Sequence, residues 1–190
     1  PTLKNFLIAF FLLSVGVQTI ILLATIFGSI ELGLGTTNLI VTVLLIQFVA
    51  ILGAYIFTRV SKKYGNFKAI KITLVIWILV CLAAFMLEKE LPNVEYYFYA
   101  LGGLLGLVLG AIQSLTRSTY SKLLPKTQEN ATYFSFYDVT EKIAIVLGTF
   151  VFGFLIYLTG SMQWSVLSLG LFFIASLVVL SGLKSTEHVH

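Results

Sequence analysis

The chain has 190 residues, of which 58% are hydrophobic and only 11% charged, and its mean hydropathy is +1.01. Soluble domains carry about 25% charged residues, so a water-soluble globular protein is excluded, because no core of this size hides so much apolar surface. The net charge of +4 would point to nucleic acid in a soluble chain; here the basic residues lie between apolar segments and read as membrane orientation, with no nucleic-acid partner.

Six apolar stretches approach the ~20 residues that a spanning helix needs: 5–28, 37–58, 69–88, 96–117, 132–157 and 163–183. The first follows Pro1-Thr2-Leu3-Lys4 directly. It is too long for a signal peptide and lacks a small-residue cleavage site, so it reads as a true spanning helix. The absence of an initiator Met points to a chain cut from something longer. Ser14, Gln18 and Thr19 lie in this stretch, and Asn38, Thr42 and Gln47 dot the second. Polar side chains in lipid need a partner or water. Interhelical hydrogen bonding and the wall of a solute path both fit them. Gln18, Thr19, Asn38, Gln47 and, further on, Gln113 are therefore candidates for a substrate path.

The third stretch holds Cys81, the one cysteine, which reads as a small buried or lipid-facing residue. No disulfide framework or metal-type Cys/His spacing exists, and no metal or cofactor is expected. The fourth carries Gly102, Gly106 and Gly110 on one helix face, with Gly103 beside them. Small residues at that spacing let another helix approach closely, either as fixed packing or as a surface that slides. Gln113 and Arg117 are four apart and share a face. Arg117 either snorkels to the interface or pairs with a neighbouring helix, and Pro125 ends the helical extension.

The fifth stretch contains the costliest residues, Asp138, Glu141 and Lys142. Charges inside a span are expensive and mark function. Asp138 and Lys142 are four apart and can pair along one helix face. Starting the helix near Thr132 puts Asp138 about 9 Å inside it, near the interface. With Arg117 or with the basic stretch at 59–71, these three form an expected charge network at one membrane face, as a static bracket, a gate or a binding site. Asn130-Ala131-Thr132 matches a glycosylation sequon, but on the side expected to be cytoplasmic. His188 and His190 lie in a terminal tail.

Loop charges set the orientation. Lys4, Arg59, Lys62, Lys63, Lys68, Lys71, Arg117, Lys122, Lys126 and Lys184 fall on one side, ten residues against Lys89 alone on the other, where Glu31, Glu88, Glu90 and Glu95 also lie. Both termini are expected in the cytoplasm. Three helices plus three gives two triplets of opposite topology, the inverted repeats found in halves of many transporters.

The stretch TRVSKKYGNFKAI, residues 58–70, resembles a worn copy of the loop signature that follows the second helix of each major facilitator half. Aligned on Gly65, the acidic position falls on Lys62 and the arginine on Lys63, while Thr58, Asn66 and Phe67 replace other signature residues. The lost acid leaves the usual loop-to-helix latch without its anion. GVQTIILLATIFGS (16–29), GAIQSLTRSTYSKLLP (110–125) and FSFYDVTEKIAIVLGTFVFG (134–153) are together similar to the vacuole-effluxer-like branch of the major facilitator superfamily, also called the unknown major facilitator family. The similarity runs through nearly the whole chain and corresponds to the last six of twelve helices.

The resemblance implies an all-α membrane protein: six transmembrane helices in two inverted three-helix repeats, forming the C-terminal half of a major facilitator transporter. Its first and fourth helices would line the cavity, with Arg117, Asp138, Glu141 and Lys142 as a cytoplasmic gate. The expected function is part of a secondary transporter working by alternating access on a small polar solute such as an amino acid, in a bacterial inner membrane. Its expected partners are the lipid bilayer and the missing N-terminal six-helix half, or a second copy pairing with the isolated fragment. No nucleophile, base and oxyanion-hole set is evident, so an enzyme is not expected. Two rivals stand beside this reading: a self-contained six-helix homodimeric transporter or channel, and a non-transporting membrane scaffold.

Overall fold

A computed structural model describes residues 2–124 and 130–183; Pro1, Pro125, Lys126, Lys184, His188 and His190 lie outside the described residues. The described residues form six long helices and no strand: α1 (Thr2–Ile26), α2 (Thr36–Tyr64), α3 (Asn66–Phe85), α4 (Val94–Leu123), α5 (Asn130–Thr159) and α6 (Met162–Ser181). Each is long and apolar enough to cross a bilayer. α1 runs on through a π-helical turn, Phe27–Glu31.

The apolar stretches underestimate several helices. α2 reaches Tyr64 and α3 starts at Asn66, so the presumed basic loop at 58–64 is the last two turns of α2. Its Arg59, Lys62 and Lys63 are exposed, where cations favour the negative end of the helix dipole. The turn between α2 and α3 is Gly65 alone, at φ 89 and ψ 153, a backbone conformation open almost only to glycine. α4 extends six residues past Arg117 to Leu123. α5 starts at Asn130, eight residues before Asp138, which puts Asp138 about 12 Å along the helix and Glu141 about 16 Å. Both carboxylates thus sit deeper than a start at Thr132 implies.

The packing repeats. α2 lies on α4 as α5 lies on α1; α1 meets α6 as α4 meets α3; α2 touches α3 as α5 touches α6; and α3 packs on α6. Exchanging the first three helices for the last three maps this set onto itself. The repeat extends to single residues. A Cβ on Gly53 of α2 would strike the carbonyl of Leu107 in α4, and one on Gly148 of α5 would lie 2.7 Å from the carbonyl of Val15 in α1. Leu107 and Val15 are each the fourteenth residue of their helix, and Gly53 and Gly148 are the eighteenth and nineteenth of theirs. Backbone-to-backbone approach of this kind, and not shared sequence, is what relates the triplets.

The α2–α4 contact is the closer one. A Cβ on Gly106 would be 2.6 Å from the Ile46 carbonyl oxygen, and one on Gly110 would collide with that of Ala50. Gly102 sits against Thr42, whereas Gly103 has only a loose neighbour in Leu45 at 3.9 Å. Without a hydrophobic effect between helices in lipid, such close contact is what holds a pair together. The core lies where α1, α3 and α6 meet. Trp77 stacks on Phe173 at 5.2 Å, Gly16 leaves room for the Phe173 ring, and buried Ser176 of α6 donates to the Ala9 carbonyl of α1 at 2.8 Å. α2 and α5 are the outermost helices and expose broad apolar faces, Phe48, Ile51 and Tyr55 on one and Phe150, Phe154 and Tyr157 on the other.

Candidate functional site

α1 and α4 touch only lightly, with α5 packed on the α1 side, and a groove runs between α1, α4 and α2. At its α2 side is a cavity of ≈ 160 Å³ lined by Ile21, Thr25, Thr42, Gln47, Phe98 and Leu109. Thr42 spends its hydroxyl on the Asn38 carbonyl at 2.8 Å. Gln47 is exposed at the rim, and Asn38 is half-buried one helical stretch further towards the acidic end.

The charged residues gather on the α5 side. Arg117 of α4 donates to Asp138 of α5 at 3.5 Å, with both side chains largely exposed at 62% and 58%. It is the one ion pair among the described residues. Lys142, four residues along from Asp138, is exposed and makes no ion pair within 4.0 Å among them. Glu141 is half-buried. It feels Arg117 and Asp138, its own neighbour Lys142, and the amide of Gln18 on α1. Gln113, one turn deeper than Arg117, is exposed. Gln18, Arg117, Asp138 and Glu141 are thus brought together from three helices, while Gln113 shares with Arg117 one face of α4.

Thr19 does not join them. It is fully buried, its hydroxyl donates to the Val15 carbonyl at 2.6 Å, and it fills the space left by Gly148. The i to i−4 bond satisfies the hydroxyl within its own helix, so Thr19 acts in α1–α5 packing and not on an open path.

Beneath the ion pair lies an aromatic floor that the polar pattern did not reveal. Tyr137, buried, stacks on Phe10 of α1 at 4.1 Å and shares a hydrogen bond with Thr116 of α4 at 2.9 Å. The Arg117 guanidinium lies 5.7 Å above its ring. Tyr120 packs against Tyr137, meets Phe134 edge-on, and donates to the Tyr133 carbonyl at 2.8 Å. The Phe-x-x-Tyr spacing of Phe134 and Tyr137 therefore puts both rings of α5 against Tyr120 of α4. That spacing, one helical turn, was the available signal.

A second omission is Asn66, which the loop alignment treated as a lost arginine. It is buried and bridges three helix ends. Its amide nitrogen donates to Ser118 at 3.3 Å and Thr119 at 3.0 Å, and its carbonyl oxygen accepts from Lys122 at 3.1 Å and from Ser61. A latch from the α2–α3 turn to α4 exists with a neutral amide where the signature has ions. Lys62 and Lys63 are exposed and outside it; Gly65 makes the turn that delivers Asn66.

The family model described as "Vacuole effluxer Atg22 like" matches residues 1–188. The chain belongs to the vacuole effluxer Atg22-like family. It is 32% identical over 176 residues to an uncharacterized MFS-type transporter, YxiO, of Bacillus subtilis, covering 93% of this chain and 40% of that protein. It is 30% identical over 184 residues to autophagy-related protein 22 of Kluyveromyces lactis (94% of this chain, 37% of that one) and 29% identical over 182 residues to that of Saccharomyces cerevisiae (93% and 34%). This member of the Atg22-like family therefore spans about two fifths or less of the relatives it matches. With six membrane-length helices, it is an all-α, multi-pass integral membrane protein.

Proposed function

We propose that this Atg22-like chain is one six-helix half of a secondary transporter that moves a small polar solute, such as an amino acid, by alternating access. The observation that carries the reading is the cavity between α1, α2 and α4 with Gln47 among its lining residues, together with the cluster of Gln18, Arg117, Asp138 and Glu141 from α1, α4 and α5. Family membership and the fraction of each relative that the chain spans support a second half completing the path. The broad apolar faces of α2 and α5 leave surface for that half and for lipid. The excess of Lys and Arg at the end carrying Arg117 supports placing that end in the cytoplasm.

The two kinds of contact suit a moving part. An exposed ion pair is worth about 0–1 kcal/mol, so Arg117–Asp138 exchanges partners at little cost, while the Tyr137–Thr116 and Tyr120–Tyr133 bonds keep α4 and α5 together beneath it. The backbone contact of α2 with α4 admits no such change, and the Asn66 latch joins α2, α3 and α4 at the same end. In this account the six helices, joined through the α1, α3 and α6 core, rock as one body against the second half around a site near the midplane. Gln47 lines the α2 wall of the groove.

The test is uptake of a mixture of radiolabelled amino acids by vesicles holding the full-length protein. Arg117→Asp and Asp138→Arg should each cut the transport rate severely, and the double exchange should restore a substantial part of it. Single variants that transport at the original rate would refute the gate.

A further inference from the structure

We infer that the exposed face of α2 from Phe48 to Lys63 binds an anionic phospholipid, with Arg59, Lys62 and Lys63 on its phosphate and the apolar residues before them along its acyl chains. The inference rests on the membrane setting alone and not on the transporter reading.

The residues share one side of the helix. Phe48, Ile51, Tyr55, Arg59 and Lys62 follow one another at intervals of three or four, and Lys63 is four beyond Arg59, so they form a single stripe. Each of them is exposed. Gly53 and Phe57, both buried, take the opposite side, where Gly53 meets the backbone of α4.

Their order along the stripe matches the order of groups in a lipid. Phe48 and Ile51 come first, each 68% exposed. Tyr55 lies about 10 Å beyond Phe48, and Arg59 and Lys63 lie about 6 Å and 12 Å beyond Tyr55. A phospholipid presents acyl chain, glycerol region and phosphate in the same sequence from the bilayer core outwards. Tyrosine favours the headgroup level, and long cationic side chains at the end of a span reach the phosphates. The cations are already held against rings. The Arg59 guanidinium lies 4.3 Å from the centre of the Tyr55 ring and donates to the Tyr55 hydroxyl, and the Lys63 ammonium lies 5.1 Å from the centre of the Tyr64 ring.

The positive charge has no counterpart in the protein nearby. No Asp or Glu occurs from Leu32 to Leu87, which covers α2 and α3 in full. α4 has one acid, Glu95, in its first turn at the far end. None of Arg59, Lys62 and Lys63 makes an ion pair within 4.0 Å among the described residues. α4 adds Lys122 at the same end, already bonded to the Asn66 carbonyl oxygen at 3.1 Å. Clusters of Lys and Arg beside a span attract anionic lipid. A zwitterionic headgroup would bring an ammonium of its own beside these cations, whereas an anionic one brings none. A free phosphate would use the cations and leave Phe48 and Ile51 without a role.

The experiment titrates the full-length protein, purified in a neutral maltoside detergent, with dioleoyl phosphatidylglycerol or dioleoyl phosphatidylcholine and reads bound lipid by native mass spectrometry. The parent should bind phosphatidylglycerol more tightly. Each cation near an anionic lipid contributes about fivefold in affinity. Lys63→Gln should therefore weaken phosphatidylglycerol binding about fivefold, and Arg59→Gln, Lys62→Gln and Lys63→Gln combined roughly a hundredfold, with phosphatidylcholine unaffected. Arg59→Lys, which keeps the charge, and Lys89→Gln, at the other end of the bundle, should retain the preference. The unfolding midpoint in the same detergent checks that each variant is folded, and Lys63→Gln alone carries the test where the combined variant is not. A parent without preference for phosphatidylglycerol overturns the inference and means that another surface, such as the second half, covers this face. A folded variant lacking the cations that keeps the preference overturns it too, as does an equal loss in Lys89→Gln. Displacement of the lipid by excess inorganic phosphate would make the site one for free phosphate instead.

Discussion

Replacing Gly106 by alanine should separate α2 from α4. The new Cβ would lie 2.6 Å from the Ile46 carbonyl oxygen and 2.9 Å from its Cα, and ordinary contact begins near 3.4 Å. The obstruction is backbone, so no side chain can swing away, and the helices must part by about 0.8 Å at that point. A gap of 0.5–1 Å forfeits a quarter to a half of each dispersion contact along the seam. Gly53 and Gly110 sit in the same seam and lose their contacts with it. Overpacking of this kind costs about 3 kcal/mol, and the better helix propensity of alanine returns about 1 kcal/mol, for a net loss near 2 kcal/mol. Gly153 of α5 is the control: nothing lies within 4 Å of the position its Cβ would take, so Gly153→Ala should stabilise by about 0.5–1 kcal/mol. Reversible unfolding in mixed micelles, followed by circular dichroism, measures both. A Gly106→Ala protein that unfolds at the parent midpoint refutes the backbone contact and, with it, the claim that α2 and α4 move together.

Three further outcomes follow from the same geometry. Gly65→Ala forces a side chain into a conformation with φ 89 and should cost about 1–3 kcal/mol, read in the same unfolding assay. Asn66→Ala removes the bonds to Ser118, Thr119 and Lys122 and should cost about 1–3 kcal/mol, with faster amide exchange at the start of α3. Ser176→Ala deletes the bond to the Ala9 carbonyl and should cost about 0.6 kcal/mol, the average for an interhelical bond in a membrane.

Much of the fold was legible because lipid imposes long apolar runs. Those runs located six spans, and the four-residue glycine spacing located the face of α4 that meets α2. Helix ends were harder. Lys62 and Lys63 look like loop residues by charge, yet they continue α2, because a helix end outside the hydrocarbon tolerates cations. The repeat was invisible to residue comparison because Gly53–Leu107 and Gly148–Val15 share a backbone geometry and not a sequence. Within the site, charge pointed to Arg117, Asp138 and Glu141. It said nothing of Tyr137 or Asn66, whose roles depend on which helices meet. Thr19 misled for a related reason: a threonine in a span satisfies itself on its own helix, so polarity alone does not put it on a path.

The central claim is that the groove between α1 and α4 is wet. Single cysteines at Gln18, Gln113, Thr19 and Leu169 in the otherwise cysteine-free full-length protein, treated with a membrane-impermeant thiol reagent from each side, test it directly. The account predicts modification at Gln18 and Gln113 and protection at buried Thr19 and Leu169. Protection at all four would mean that the polar residues serve packing alone, and the transport path would have to lie elsewhere.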